Sequence, residues 1–150
     1  MDKAPPLRLF AEEPDDLKII SSALQDAVGK IGGIRYQGRQ RRLSIEVNRF
    51  RWEVEAGSDA SKERIRSILG IDGVTSVKAL GLTRDDPDVV ISILSIEFEP
   101  AEEAPAGTVR VTFAGDGEMA LSVECLDISL VDGATAWPTK HTPNHEPRRK

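Results

Sequence analysis

A chain of 150 residues, 39% hydrophobic and 30% charged, has the composition of one folded domain rather than of a disordered segment. Its net charge of −5 argues against a generally nucleic-acid-binding surface. The single cysteine, Cys125, excludes an intrachain disulfide, and no apolar run approaches the roughly 20 residues of a membrane-spanning helix. The first residues lack the basic-then-apolar layout of a secretory signal, so the expected setting is the cytoplasm, away from membranes. Residues 7–137 read as a single domain between flexible ends at 1–6 and 138–150.

Residues 7–10 form a short strand candidate. Glu12-Glu13-Pro14-Asp15-Asp16 then starts a helix, because proline suits the first turn and acids complement the positive end of the helix dipole. Leu17, Ile20, Leu24 and Val28 recur at spacings of three and four and mark one buried face, ending near Asp26 to Val28. Leu17, Ile20 and Leu24 are expected to pack on the sheet face that bears Leu94, Ile96 or Phe98.

From Gly33 the texture is that of strands. Ile34 and Tyr36 precede a turn at Gln37-Gly38-Arg39, and Leu43, Ile45 and Val47 alternate with polar residues. The next large apolar residues, Phe50 and Trp52, are out of phase, which implies a β-bulge near Asn48-Arg49. Residues 56–61 read as a loop, 62–69 as a short helix or a strand, Asp72-Gly73 as a turn and 74–82 as a strand. Residues 89–99 make the most regular strand, with Val90, Leu94, Ile96 and Phe98 on one face. Gly115-Asp116-Gly117 joins a hairpin whose second arm points Met119, Leu121, Val123 and Cys125 inward. The phase slips again at Leu126, which either a bulge or a short helix explains, and beyond Gly133 the chain is polar and rich in proline. The fold class that follows is α+β: an antiparallel bulged sheet or partly closed β-barrel with one N-terminal helix.

No nucleophile elbow, P-loop or dinucleotide fingerprint is present, and no catalytic residue is assigned. His141 and His145 are four apart, but Pro138, Pro143 and Pro147 deny them a helix, so neither a metal nor a cofactor is expected. Asp85, Asp86 and Asp88 lack the glycine and terminal glutamate of a calcium loop.

One segment is chemically dense. Between Arg35 and Trp52 lie six arginines and one acid, so that stretch carries +5 and the rest of the chain −10. Arg39, Arg41, Arg42, Arg49 and Arg51, with Trp52, are the candidate anion- or partner-binding residues. Guanidinium forks match phosphate and carboxylate oxygens, and aromatic rings stack bases. The alternative is pairing with the chain's own acids, worth about 0–1 kcal/mol per surface pair. Strand alternation with the inferred bulge puts at least three of these arginines on one exposed face.

Leu24-Gln25-Asp26-Ala27-Val28, Arg41-Arg42, Asn48-Arg49-Phe50-Arg51-Trp52-Glu53, residues 77–82 and 94–100, Thr112-Phe113-Ala114-Gly115 and Val123-Glu124-Cys125-Leu126 carry a likeness. Together they resemble a bacterial family classed as a domain of unknown function, number 2948, over roughly residues 7–140. The resemblance brings no activity, cofactor or site residue with it. The function expected from the residues is a protein-binding or scaffolding module, self-association included. An anion, nucleotide or RNA binder acting through the arginine face is the alternative, and an enzyme with an unrecognised site is the third.

Overall fold

Nine antiparallel strands and one helix make up most of residues 5–53, 62–82 and 85–139, which the computed structural model describes. They are β1 (Arg8–Ala11), α1 (Pro14–Ala23), β2 (Val28–Gln37), β3 (Arg42–Phe50), β4 (Glu63–Ile71), β5 (Val74–Leu80), β6 (Val90–Pro100), β7 (Gly107–Phe113), β8 (Glu118–Val123) and β9 (Ile128–Pro138). The expectations for the loop at 56–61 and for His141 and His145 lie outside the described residues. Among the described residues no helix is long and apolar enough to cross a membrane.

The strands form one sheet in the order β1-β9-β4-β3-β2-β6-β7-β8-β5, whose end strands β1 and β5 do not pair with each other. The barrel closure allowed for by the sequence is therefore absent, and the architecture is mostly sheet rather than a balance of helix and sheet. Two half-sheets meet where Val28, Gly29 and Lys30 of β2 pair with Ser92, Ile91 and Val90 of β6. The chain crosses between the halves at Asp72-Gly73 and again at residues 124–127. The two crossings are tied by bonds from the Asp72 N–H to the Asp127 carbonyl (3.0 Å) and from the Glu124 N–H to the Gly73 carbonyl (2.9 Å). Inward residues of both halves fill one core, among them Leu43, Ile45, Leu69 and Leu130 from one and Ile93, Val111, Phe113 and Leu121 from the other. Each such side chain contributes about 1.5–3 kcal/mol through burial.

The helix begins as its sequence dictates, with proline at the start and Asp15 and Asp16 in the first turn. It ends earlier than the apolar stripe, at Ala23 with Leu24 as cap, and Val28 belongs to β2 instead. Leu17, Ile20 and Leu24 are fully buried against β6 and β1, and the Ser21 hydroxyl accepts a bond from the Ile96 N–H (3.0 Å). The face it covers bears Ile96 and Phe98, as expected, but not Leu94. A bulge between Ile93 and Ser95 reverses the phase of β6, so Ile91, Ile93 and Ile96 turn inward while Val90 and Leu94 are exposed.

Bulges also fall in β2, β5 and β9, but not at Asn48-Arg49. There β3 pairs with β4 without interruption from Leu43 to Phe50, and Arg49 keeps the inward phase of Leu43, Ile45 and Val47. Residues 63–71 are strand rather than helix. The hairpin at Gly115 is present, with positive φ at Gly115 (83°) and Asp116 (71°), the sign pattern of a type I′ turn. Its second arm ends at Val123, which leaves Cys125 exposed rather than inward. Neither a bulge nor a helix causes the slip at Leu126, since the chain is crossing to the other half-sheet. Past Gly133 the polar stretch still runs as β9 to Pro138.

Because Leu24 closes the helix against the core, Leu24→Ala should cost about 2–5 kcal/mol. The check is the urea midpoint, and an unchanged midpoint would refute this packing.

Candidate functional site

The candidate arginines do not converge. Arg49 and Arg51 are buried at one end of the molecule, with relative exposures of 0% and 3%. On β3 the alternation of Leu43, Ile45 and Val47 carries Arg49 to the inward face. On β4 the same phase brings Ser67, and on β9 it brings Asp132, which lies opposite Ser67. The Arg49 guanidinium donates Nε to Asp132 Oδ1 (2.8 Å) and Nη2 to Asp132 Oδ2 (2.6 Å). It also donates Nη1 and Nη2 to the two carboxylate oxygens of Glu53 (2.9 and 2.7 Å), and Nη1 to the Phe50 carbonyl (3.2 Å). An arginine has five N–H groups, and all five are engaged.

Asp132 is equally saturated. Its Oδ1 also accepts from the Ser67 hydroxyl (2.6 Å) and its Oδ2 from the Leu7 N–H (2.7 Å). Arg51 extends the network to Glu63 (2.8 Å), Glu53 (3.4 Å) and the Pro5 carbonyl (3.1 Å). Burial alone would raise the pKa of Asp132. The bonds from Arg49, Ser67 and the Leu7 backbone outweigh it and hold the carboxyl below its usual range. Glu53 follows the same logic, with burial overcome by Arg49, by its own backbone bond and by the charge of Arg51. For Arg49, burial lowers the pKa, and the two carboxylates more than reverse this. No N–H of Arg49 is left for an outside anion.

At the other end, Arg41 pairs with Glu124 (2.9 Å) and Arg42 with Asp72 (2.8 Å). Arg39 is exposed in the turn between β2 and β3. Trp52 stacks edge-on against Phe50 with centroids 4.7 Å apart, and its Nε1 donates to the Gln25 carbonyl (3.4 Å), so it joins the end of β3 to the turn after α1. Of the expected exposed face, Arg35 and Arg42 share the outer side of half-sheet β9-β4-β3-β2 through their pairings with Ser44 and Gln37, whereas Arg49 and Arg51 leave it.

Two concavities flank β2. An apolar cleft of about 380 Å³ lies between β2 and β5, lined by Ile34, Tyr36, Leu43, Val77, Ala79 and Leu82. It marks the open seam of the sheet: among the described residues, β5 pairs only with β8, and β2 beyond Gly33 pairs only with β3. The Tyr36 hydroxyl crosses the seam to donate to the Val74 carbonyl (2.8 Å), and the Val74 N–H donates to the Arg41 carbonyl (2.8 Å). On the outer face, a second groove of about 570 Å³ opens beside residues 30–33 of β2. Among the described residues no group of three or more His, Cys, Asp or Glu is placed to hold a metal.

Asp132, Ser67 and Glu63 were not singled out from the sequence. A signal was there: Arg49, Ser67 and Asp132 each occupy an inward phase otherwise filled by Val47, Leu69 and Leu130 on their strands. Three polar residues at apolar positions on adjacent strands are the mark of a buried network.

These features define a sheet-rich antiparallel domain with one helix among the described residues and a closed, buried arginine–carboxylate network. The chain belongs to the family described as Protein of unknown function (DUF2948), whose model matches residues 7–145. No curated protein and no solved structure matches it.

Asp132→Ala removes one of two carboxylates from a buried guanidinium and should destabilise the fold by about 3–5 kcal/mol, measured by chemical denaturation. The pH dependence has a definite sign. Asp132 and Glu53 have folded pKa values below those of the unfolded chain. Their stabilisation is therefore complete above the unfolded carboxyl range, about 3.9–4.3, and is lost as pH falls through the lower folded values. The urea midpoint should drop more steeply between about pH 5 and about pH 2 in the wild type than in Asp132→Asn. Equal slopes would remove Asp132 from this role.

Proposed function

We propose that the protein is a binding module that accepts an extended segment of a partner protein in the cleft between β2 and β5. The observation that carries this reading is the open seam. Two strands each present an edge without a ladder neighbour toward one apolar cleft. Unpaired strand edges are templates for a further strand, and such additions take affinity from main-chain bonds and specificity from pockets for alternate side chains. The lining of Ile34, Val77, Ala79 and Leu82 suits a segment with apolar residues at every second position. A cleft of about 380 Å³ lies within the range of small binding sites, roughly 300–1,000 Å³.

The anion reading through the arginine-rich segment has less support. Four of its six arginines, Arg41, Arg42, Arg49 and Arg51, already hold carboxylate partners. An enzymatic reading finds no acid, base or nucleophile free in the cleft, where the Tyr36 hydroxyl is engaged with Val74.

Selection from a peptide-display library against the full chain tests the proposal. Enriched peptides should alternate apolar with other residues, and their affinity, followed by fluorescence anisotropy, should fall at least tenfold in Ala79→Arg while the thermal midpoint stays near that of the wild type. Ala79 is only half-buried, so the arginine blocks the cleft without entering the core. Peptides that bind Ala79→Arg and Val77→Arg as well as they bind the wild type would overturn the proposal, as would the absence of any enrichment.

A further inference from the structure

The outer groove has a construction of its own. Along β2 and β3, Gly29 lies opposite Val47 and Ile34 opposite Ile45, so five steps on one strand match two on the other and three residues are left over. The extra chain swings away from β3 and bonds instead to the segment before β6. The Ile31 N–H donates to the Val89 carbonyl and the Gly32 N–H to the Pro87 carbonyl, each at 2.9 Å. Gly29 makes the departure feasible, because a Cβ there would lie 2.6 Å from the Glu46 carbonyl oxygen. The groove forms where the bulge lifts off the sheet.

Strand pairing fixes which side chains share its floor. Arg35 lies opposite Ser44, Asn48 opposite Arg66, and Glu46 opposite Ile68, all on the outer face. Lys30 reaches in from the bulge. Three cations thus surround the hydroxyl of Ser44 and the amide of Asn48, in a chain whose net charge is −5. Arg35 has no acidic partner among the described residues. The other two cations hold theirs loosely, Lys30 to Asp88 at 3.7 Å and Arg66 to Glu46 at 3.5 Å, with every one of these side chains more than half exposed. Such pairs are worth about 0–1 kcal/mol and yield readily to a stronger anion. Ile68, 45% exposed, and Pro87 add an apolar wall.

We propose that this groove binds a phosphate-bearing small molecule of nucleotide size. Arg35 and Arg66 take the phosphate oxygens through their planar forks, Lys30 adds a third charge, and Ser44 and Asn48 supply neutral hydrogen bonds. Released from their cations, Glu46 and Asp88 become acceptors for ligand hydroxyl groups, and Ile68 with Pro87 supports the ring. A volume of about 570 Å³ exceeds the needs of a bare anion. The site opens on the other side of the bulge from the peptide cleft, sharing only Gly32 and Pro87 with it, and stands whether or not that reading holds.

The test is titration of the full chain at low salt with inorganic phosphate, AMP, ATP and a short RNA, following arginine Nε–Hε NMR signals. Arg35 and Arg66 should shift together and saturate, with AMP binding at least tenfold more tightly than inorganic phosphate. Arg35→Ala and Arg66→Ala, both exposed and so without consequence for the core, should each weaken AMP at least tenfold, whereas Arg39→Ala should not. The proposal is overturned if Arg39 shifts as much as Arg35, if no signal saturates, or if phosphate and AMP bind equally. Length-dependent binding of RNA, tighter than AMP, would equally overturn it in favour of a macromolecular ligand.

Discussion

The structure turns on one buried guanidinium. Lysine in place of Arg49 has three donors on a point charge. Only the planar fork of arginine meets two carboxylates and a carbonyl at once. Its partners come from β9, from Glu53 just past β3 and, through Asp132, from Ser67 on β4 and the Leu7 backbone. Against an apolar substitute of equal volume, such a pair adds little net stability, yet every partner withdrawn from it costs several kcal/mol. The effect is one of discrimination. A one-residue slip of β3, β4 or β9 would send Arg49, Ser67 or Asp132 to the opposite face and strand the others without water. The apolar stripes of these strands are short and similar, so this penalty adds to packing in setting their alignment.

The same interaction explains what the sequence disclosed and what it hid. Alternation in residues 43–47, the helix start at Pro14 and the hairpin at Gly115 were legible because each rests on local rules of burial, dipole or turn conformation. Arg49 was not, because an arginine on an apolar phase reads as an interruption until its partner is known, and Asp132 lies far along the chain. A bulge was the economical local explanation for Phe50 and Trp52. In the structure Phe50 ends β3 in unbroken alternation, and Trp52, already past the strand, packs on it. The phase of β6 failed for the complementary reason: its bulge between Ile93 and Ser95 follows from pairing with β7, which one strand's own pattern does not contain. The site was less legible than the fold. Clustering of arginines in sequence suggested clustering in space, but strand and turn geometry sends them to opposite ends.

The bulge of β2 organises both concavities. Gly32 and Pro87 line the apolar cleft on one side and the polar groove on the other, with Ile31 contributing to the first and Lys30 to the second. A strand kept in register with β3 would present neither surface. Its departure leaves the β2 edge beyond Gly33 open and hollows the outer face at the same point. The glycines here are features of architecture: they let the chain leave one ladder and join another within a few residues.

The pairing of β1 with β9 bears on how the chain comes into being. The Leu7 N–H and the Asp132 carboxylate that receives it are 125 positions apart, and Arg8 to Ala11 pair with Val131 to Ile128. On the ribosome, the first of these strands emerges long before its neighbour exists. Until then Leu9 and Phe10 have no strand beside them, and α1 has only part of the surface it will cover. Local pairs such as β2 with β3 can close early, but the sheet cannot be completed at β1 until translation has passed Asp132. Folds dominated by such distant pairings form slowly and spend longer exposed to wrong partners. The period of vulnerability thus spans the synthesis of everything between β1 and β9, and it ends with the strand that delivers the counter-ion of Arg49.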